Sequence, residues 1–257
     1  MSDDRNFDAL SERFTRTIYG TPRGRLRLAA LTRDFDDFDI AVKDKQVLDI
    51  GGGQGHFSFL LAEKGASISL CDISSEMIAQ ALGRFADSEL ALQAKVCALQ
   101  DVEQTFPGTY DIILNHAVLE WLESPLDAIP ALCAKVRPGG WLSIMFYNLH
   151  GHQWRQLMNG RLHEPMAANP VLKQTGNAPM HPLEPQDVMR AIKNEKLEIK
   201  RWRGIRCVRD HLPGKIRLRL SEEAIAESDL AFGLLDPYRQ LGRYIHVLAR
   251  RADGEIT

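Results

Sequence analysis

The chain has 257 residues, 44% of them hydrophobic and 26% charged, with a net charge of −2. That balance fits one large α/β core and excludes a disordered chain or a generally basic nucleic-acid coat. The cysteines Cys71, Cys97, Cys133 and Cys207 form no Cys-x-x-Cys pair, so neither zinc nor a disulfide framework is expected, and no run is apolar and long enough to cross a bilayer.

The first residues, Met1 to Asn6, have neither a basic start nor an apolar stretch, so no signal peptide and a cytoplasmic location are expected. Residues 5–38 carry two helical patterns separated by Tyr19-Gly20-Thr21-Pro22. The apolar run Gln46 to Ile50 then becomes a glycine-rich turn, Gly51-Gly52-Gly53-Gln54-Gly55, followed by a helical pattern with Phe57, Leu60, Leu61 and Ala62 on one side. Glycine lets the backbone turn sharply and lets a ligand approach without meeting a Cβ. A second strand, Ser67 to Cys71, delivers Asp72, 21 positions after Gly51, where a carboxylate can accept bonds from a ribose diol. An adenosine-containing cofactor is therefore expected. The glycine spacing departs from Gly-x-Gly-x-x-Gly, because after Gly51 and Gly53 the run Gln54-Gly55-His56 puts the fourth glycine too early. Asp49 at the strand end suits a cationic sulfonium ligand better than a diphosphate.

Ser74 can cap a helix bearing Met77, Ile78, Ala81 and Leu82; residues 91–97 read as a third strand and Tyr110 to Asn115 as a buried fourth. Leu126 to Val136 has helical spacing and ends at Arg137-Pro138-Gly139-Gly140, a stop and turn signal before a fifth strand from Trp141 to Phe146. Residues 160–185 hold five prolines and read as an irregular insertion, with Pro185 opening a short helix. Leu197 to Val208 and Tyr244 to Ala249 read as the last strands, with helices over about 221–241 between them.

This alternation predicts a Rossmann-like α/β fold with a mostly parallel seven-stranded sheet and an antiparallel last strand. A single domain over 1–257 is expected, with a helical cap (1–45), a cofactor-binding core (46–147), an insertion (148–196) and C-terminal strands and helices (197–257). Ligands in such sheets sit outside the carboxyl ends of the strands, which places Gly51, Asp72, Gln100-Asp101, Asn115-His116 and Tyr147-Asn148 along one edge. Residues 193–219 hold ten Lys or Arg against three acids, a local balance of +7 that leaves −9 for the rest. Such a strip is either a phosphate footprint or a solvated face.

The segments Ile18-Tyr19-Gly20-Thr21, Val47-Leu48-Asp49 with Gly51-Gly52-Gly53, Leu70-Cys71-Asp72, His116 to Trp121, Met145-Phe146-Tyr147-Asn148 and Leu241 to Val247 span almost the whole chain in order. With them the sequence resembles the bacterial tRNA 5-carboxymethoxyuridine methyltransferase family, within the class I S-adenosylmethionine-dependent methyltransferases. Departures lie in the proline-rich insertion and in residues 212–235.

The resemblance implies methyl transfer from S-adenosylmethionine to the carboxylate of 5-carboxymethoxyuridine at the wobble position, with a tRNA anticodon stem-loop as partner and no metal or membrane involved. A carboxylate is ionised at neutral pH and needs no general base, so no Ser-His-Asp constellation is expected. The resemblance further implies cofactor contacts from Arg27, Asp49, Gly51, Gly52, Gly53, Asp72, Leu99, Gln100 and His116. Candidate anchors for the substrate carboxylate are Tyr19, Tyr147, Asn148, Arg206, Arg243 and Tyr244, and Trp121, Trp154 or Trp202 could stack the uridine. Two other readings share the cofactor motifs: a small-molecule carboxyl methyltransferase and a non-catalytic S-adenosylmethionine-binding protein.

Overall fold

The computed structural model describes residues 21–162 and 181–254. Tyr19, the first helical pattern and most of the proline-rich insertion lie outside the described residues. Seven strands form one sheet in the order β3-β2-β1-β4-β5-β7-β6. They are β1 (Gln46–Ile50), β2 (Ser67–Asp72), β3 (Leu92–Val96), β4 (Tyr110–His116), β5 (Val136–Tyr147), β6 (Leu197–Ile205) and β7 (Tyr244–Arg251). All neighbouring pairs are parallel except those of β7, which runs antiparallel to both β5 and β6. Because β7 alone is reversed, its first residue lies at the same edge as the last residues of the other strands.

Helices cover both faces, so the central strands are apolar on both sides. On one face, Leu31 and Phe35 of α1 (Pro22–Asp37), Phe57 and Leu61 of α2 (His56–Glu63) and Ile78, Ala81 and Phe85 of α3 (Ser75–Ala86) pack on Val47, Ile68 and Ile112. On the other, Ile129 and Leu132 of α5 (Ala128–Ala134), which follows the short α4 (Val102–Thr105), meet Val188 and Ile192 of the helix Pro185–Asn194 over Leu48, Ile113 and Val247. Two further helices, α6 (Leu149–Met158) and α7 (Pro185–Asn194), follow β5, and α8 (Gly214–Arg217) and α9 (Glu222–Phe232) lie between β6 and β7.

The local signals match their elements. Ser74 accepts from the Met77 N–H at 3.2 Å and caps α3, and Pro185 stands at the start of α7. One sequence expectation is corrected. Arg137-Pro138-Gly139-Gly140 does not separate a helix from a strand: β5 already pairs with β4 at Tyr110 and Val136, and the four residues form an irregularity in that ladder before pairing resumes at Trp141. All four cysteines are buried and unbridged.

Candidate functional site

The glycine turn is strapped to the end of β2. The N–H groups of Gly51 and Gly52 donate to the Cys71 carbonyl at 2.8 and 3.0 Å. Both Asp72 oxygens are used as well: Gly53 N–H donates to Oδ2 and Ser74 N–H to Oδ1, each at 2.9 Å. Gly51 and Gly53 have φ of +71° and +54°. A Cβ on Gly51 would lie 2.4 Å from Val118, whereas one on Gly53 would meet no atom within 4 Å. The turn is thus closed on its protein side and open on the other. Below it, Asp49 is buried and accepts from the Ser58 hydroxyl at 2.6 Å. Burial pushes its carboxyl up to about 7; the Ser58 bond opposes this and the Asp72 charge adds to it. Leu99 and Gln100 form a turn at the end of β3.

Sheet register builds a second feature. His116 stands opposite Met145, Met145 opposite His246, and His246 opposite Arg203, one row across β4, β5, β7 and β6. Ser143 lies two residues before Met145, on the same face. His116 Nε2 meets Ser143 Oγ at 2.8 Å, Ser143 Oγ meets His246 Nε2 at 2.8 Å, and His246 Nδ1 donates to Asp34 Oδ2 at 2.7 Å. Asp34, on α1, also accepts from Arg203 at 2.9 and 2.8 Å and from Arg201 at 3.1 Å. A Ser-His-Asp chain therefore exists, contrary to expectation. It is not a nucleophile: Ser143 and His246 are fully buried, and the Ser143 hydroxyl is engaged by both His116 and His246. Its product is a fixed His116 ring, which burial keeps neutral, with His246 and Arg27 adding to the effect.

A third cluster gathers where β5 and β6 end and β7 begins. The Tyr147 and Tyr244 rings meet edge to face at 5.8 Å, Arg27 lies over Tyr244 at 4.7 Å and Arg243 over Tyr147 at 5.4 Å. Arg206 forks onto Asp210 at 2.7 and 2.8 Å, and Arg243 reaches the same carboxylate at 3.5 Å. Two guanidiniums share one acid. The Arg243 Nε is buried and donates to no acceptor among the described residues. Asn148 does not join this cluster. Its amide donates to the Gln240 and Gly242 carbonyls at 2.7 and 2.6 Å and its oxygen caps α6 from the His150 N–H, so it ties the chain together and has nothing left to offer an anion.

Four arginines of the basic strip 193–219 are held in internal ion pairs. Arg203 is 1% exposed, Arg206 is buried, Arg201 bonds Asp34 and Asp37, and Arg209 pairs with Glu222. The footprint reading fails for these arginines because each already has a carboxylate. The aromatic candidates divide similarly: Trp121 is buried, and Trp202 lies beneath the Arg239 guanidinium at 3.9 Å.

Asp34, Ser143, His246 and Asp210 escaped sequence reasoning. A trace of signal existed: Asp34 follows Arg27 by seven positions on one face of α1, and His246 interrupts an otherwise apolar strand. Glu120 was also missed. It is buried, its Oε2 has no hydrogen-bond partner among the described residues, and burial raises its carboxyl to about 7 despite Arg27 nearby. The open turn, the acids Asp49 and Asp72 beside it, and Arg27 near His116 fit a nucleoside joined to a cationic amino-acid tail. Among the described residues no three His, Cys, Asp or Glu side chains gather as a metal site, and no helix is long and apolar enough to cross a membrane.

Comparison with known proteins agrees with this geometry. A family described as a methyltransferase domain matches residues 23–176. The tRNA 5-carboxymethoxyuridine methyltransferase of Escherichia coli K12 is 37% identical over 256 residues, covering 98% of both chains. A ubiquinone biosynthesis O-methyltransferase of Burkholderia orbicola is 34% identical over 98 residues, 38% of this chain and 42% of its own. Among solved structures, the magnesium protoporphyrin IX methyltransferase of Synechocystis PCC 6803, with bound SAH, superposes with a TM-score of 0.65 over 96% of each chain at 15% identity, a likeness of fold.

Proposed function

The chain belongs to the tRNA 5-carboxymethoxyuridine methyltransferase family, and from that premise we propose that it methylates the carboxylate of 5-carboxymethoxyuridine at the tRNA wobble position, in the cytoplasm, giving the methyl ester. S-adenosylmethionine supplies an electrophilic methyl group on a sulfonium. The observation that carries the substrate reading is the Arg243 Nε, a buried donor with no acceptor among the described residues, beside Arg206, Tyr147 and Tyr244. A carboxylate is the acceptor that such a group lacks.

Each residue then has a physical task. Asp72 holds the turn in shape and offers its outer lone pairs to the ribose hydroxyls. Gly51, Gly52 and Gly53 keep side chains out of the donor's path. Leu99 and Gln100 flank the adenine. Arg27 holds the amino-acid carboxylate, and His116 abuts the methionine portion. Asp49 is neutral when its surroundings are dry and ionises against a cation. Burial raises the Tyr147 phenol, partly offset by Arg243, so it remains a donor. Arg243 stays charged: burial opposes its charge, but Tyr244, Tyr147 and Asp210 outweigh that. The substrate carboxylate is ionised already, so no residue has to remove a proton. Catalysis is alignment, and near-attack positioning can supply roughly 7–11 kcal/mol.

Asp72→Ala is expected to weaken S-adenosylmethionine binding by on the order of 1.5–3 kcal/mol, roughly 10- to 150-fold, because a charged acceptor is lost and two turn N–H groups are released. Calorimetry with an unchanged affinity would remove Asp72 from the site. The function itself is tested by nucleoside mass spectrometry of tRNA from cells lacking the protein. The methyl ester should vanish and the parent acid accumulate; an undiminished ester would refute the reading.

A further inference from the structure

With the arginines of β6 committed to internal acids, two exposed cations of other elements stand close to the Tyr147 and Tyr244 rings. Arg23 lies in the first turn of α1, is exposed, and precedes Arg27 by one turn on the same face, where Arg27 covers the Tyr244 ring. Arg155 lies on α6, is exposed, and follows by one turn His152, whose Nδ1 meets the Tyr147 hydroxyl at 3.2 Å. Because Tyr147 and Tyr244 touch, the two helices bring Arg23 and Arg155 to one pair of rings from different sides. Their fields meet there too: Arg23 helps to hold the Asp210 carboxyl down, and Arg155 acts on the Tyr147 phenol. Neither guanidinium has a hydrogen-bonded or ion-paired partner among the described residues. Beneath them, Arg206 and Arg243 share the single charge of Asp210. With Arg27 over Tyr244, the mouth therefore carries five guanidiniums around the Asp210 carboxylate, Arg27, Arg206 and Arg243 beside the rings and Arg23 and Arg155 outside.

That layering matches an anionic group on an anionic backbone. A nucleotide turned out of a single-stranded loop brings its base inward while its flanking phosphates remain at the rim. We infer that Arg23 and Arg155 bind backbone phosphates of the anticodon loop beside the reacting nucleotide, while the inner arginines face its carboxylate. The inference rests on the tRNA reading given above. It moves the RNA footprint from the 193–219 strip to the rim formed by α1 and α6.

The test is salt-dependent binding of a synthetic anticodon stem-loop carrying 5-carboxymethoxyuridine to the full chain. Arg23→Ala with Arg155→Ala should lower affinity about tenfold and flatten the slope of log affinity against log salt by about 1.4, at about 0.7 per single-strand phosphate contact. Arg23→Lys with Arg155→Lys should keep the wild-type slope, since the charge is retained. Lys193→Ala with Lys196→Ala, two exposed cations of the strip, should also leave it unchanged. S-adenosylmethionine affinity should stay constant in all three variants. If the wild type binds the stem-loop and the double-alanine slope equals its own, the inference falls while the tRNA reading stands. If the wild type shows no salt-dependent affinity for the RNA, the tRNA reading itself falls.

Discussion

Asp34→Ala is expected to be among the most destabilising single substitutions in this chain, costing about 3–5 kcal/mol. Asp34 is fully buried and compensates Arg203, which is 1% exposed. Without the carboxylate, a guanidinium stays in the interior with only the Leu230 carbonyl and no counter-charge. His246 also loses the acceptor that orients it, so Ser143 and then His116 lose their fixed partners. A typical domain has about 5–15 kcal/mol in all, so the variant should unfold at far lower urea or not fold at all. Asp34→Asn keeps an acceptor but not the charge and should fall between. Urea titrations in which Asp34→Ala loses less than about 1 kcal/mol would contradict the account. Acid gives a second reading. Burial alone would raise the Asp34 carboxyl, but the His246 hydrogen bond and charge and the Arg203 guanidinium outweigh it and hold it at about 2, below the ordinary 3.8. Its contribution is therefore complete above about pH 4 and is lost as pH falls through 3.8 toward 2.

The enzyme is expected to methylate tRNA carrying 5-carboxymethoxyuridine and to reject tRNA carrying 5-methoxyuridine by a factor on the order of 10⁴. The methoxy analogue offers an ether oxygen with no negative charge to attack a sulfonium. It also leaves the Arg243 Nε and its neighbours without the acceptor they face. Sites built around buried donors discriminate strongly for this reason, since the wrong ligand removes water and returns no bond. Tritiated cofactor and the two tRNAs measure it directly. Equal label in both would refute the carboxylate as nucleophile, and label confined to a small acid would favour a metabolite enzyme. The maximal rate should be nearly flat from mildly acidic to mildly basic pH, since the substrate is ionised throughout. Cofactor affinity should not be flat. Asp49 is raised to about 7 and is neutral below it, while a cationic ligand favours its ionised form. Affinity should therefore rise as pH passes through about 7 and level off above.

Much of this protein was decided by residues close together in the chain. The turn Gly51 to Gly53, the carboxylate of Asp72 at the next strand end, the Ser74 cap, the Pro185 start and the buried run Ile112-Ile113-Leu114 were legible because each is a local steric or periodic property. A glycine turn needs only its own φ angles, and a cap only its own first turn. From such pieces the alternation of strands and helices, and so the edge where ligands bind, follows. The wiring of that edge was decided only by tertiary structure. Arg203 meets Asp34 across 169 positions, Ser143 meets His246 across 103 and His246 meets Asp34 across 212. Those pairs exist because β7 runs antiparallel between β5 and β6, and because the register sets His116, Met145, His246 and Arg203 in one row under α1. The same register turned the arginines of β6, within a strip that reads as a surface of +7, into internal ion pairs. It also gave the amide of Asn148 to backbone carbonyls. Charge and side-chain type are fixed by sequence, but whether a guanidinium faces water or a buried carboxylate depends on which strand lies beside it, and strand neighbours are set by the fold.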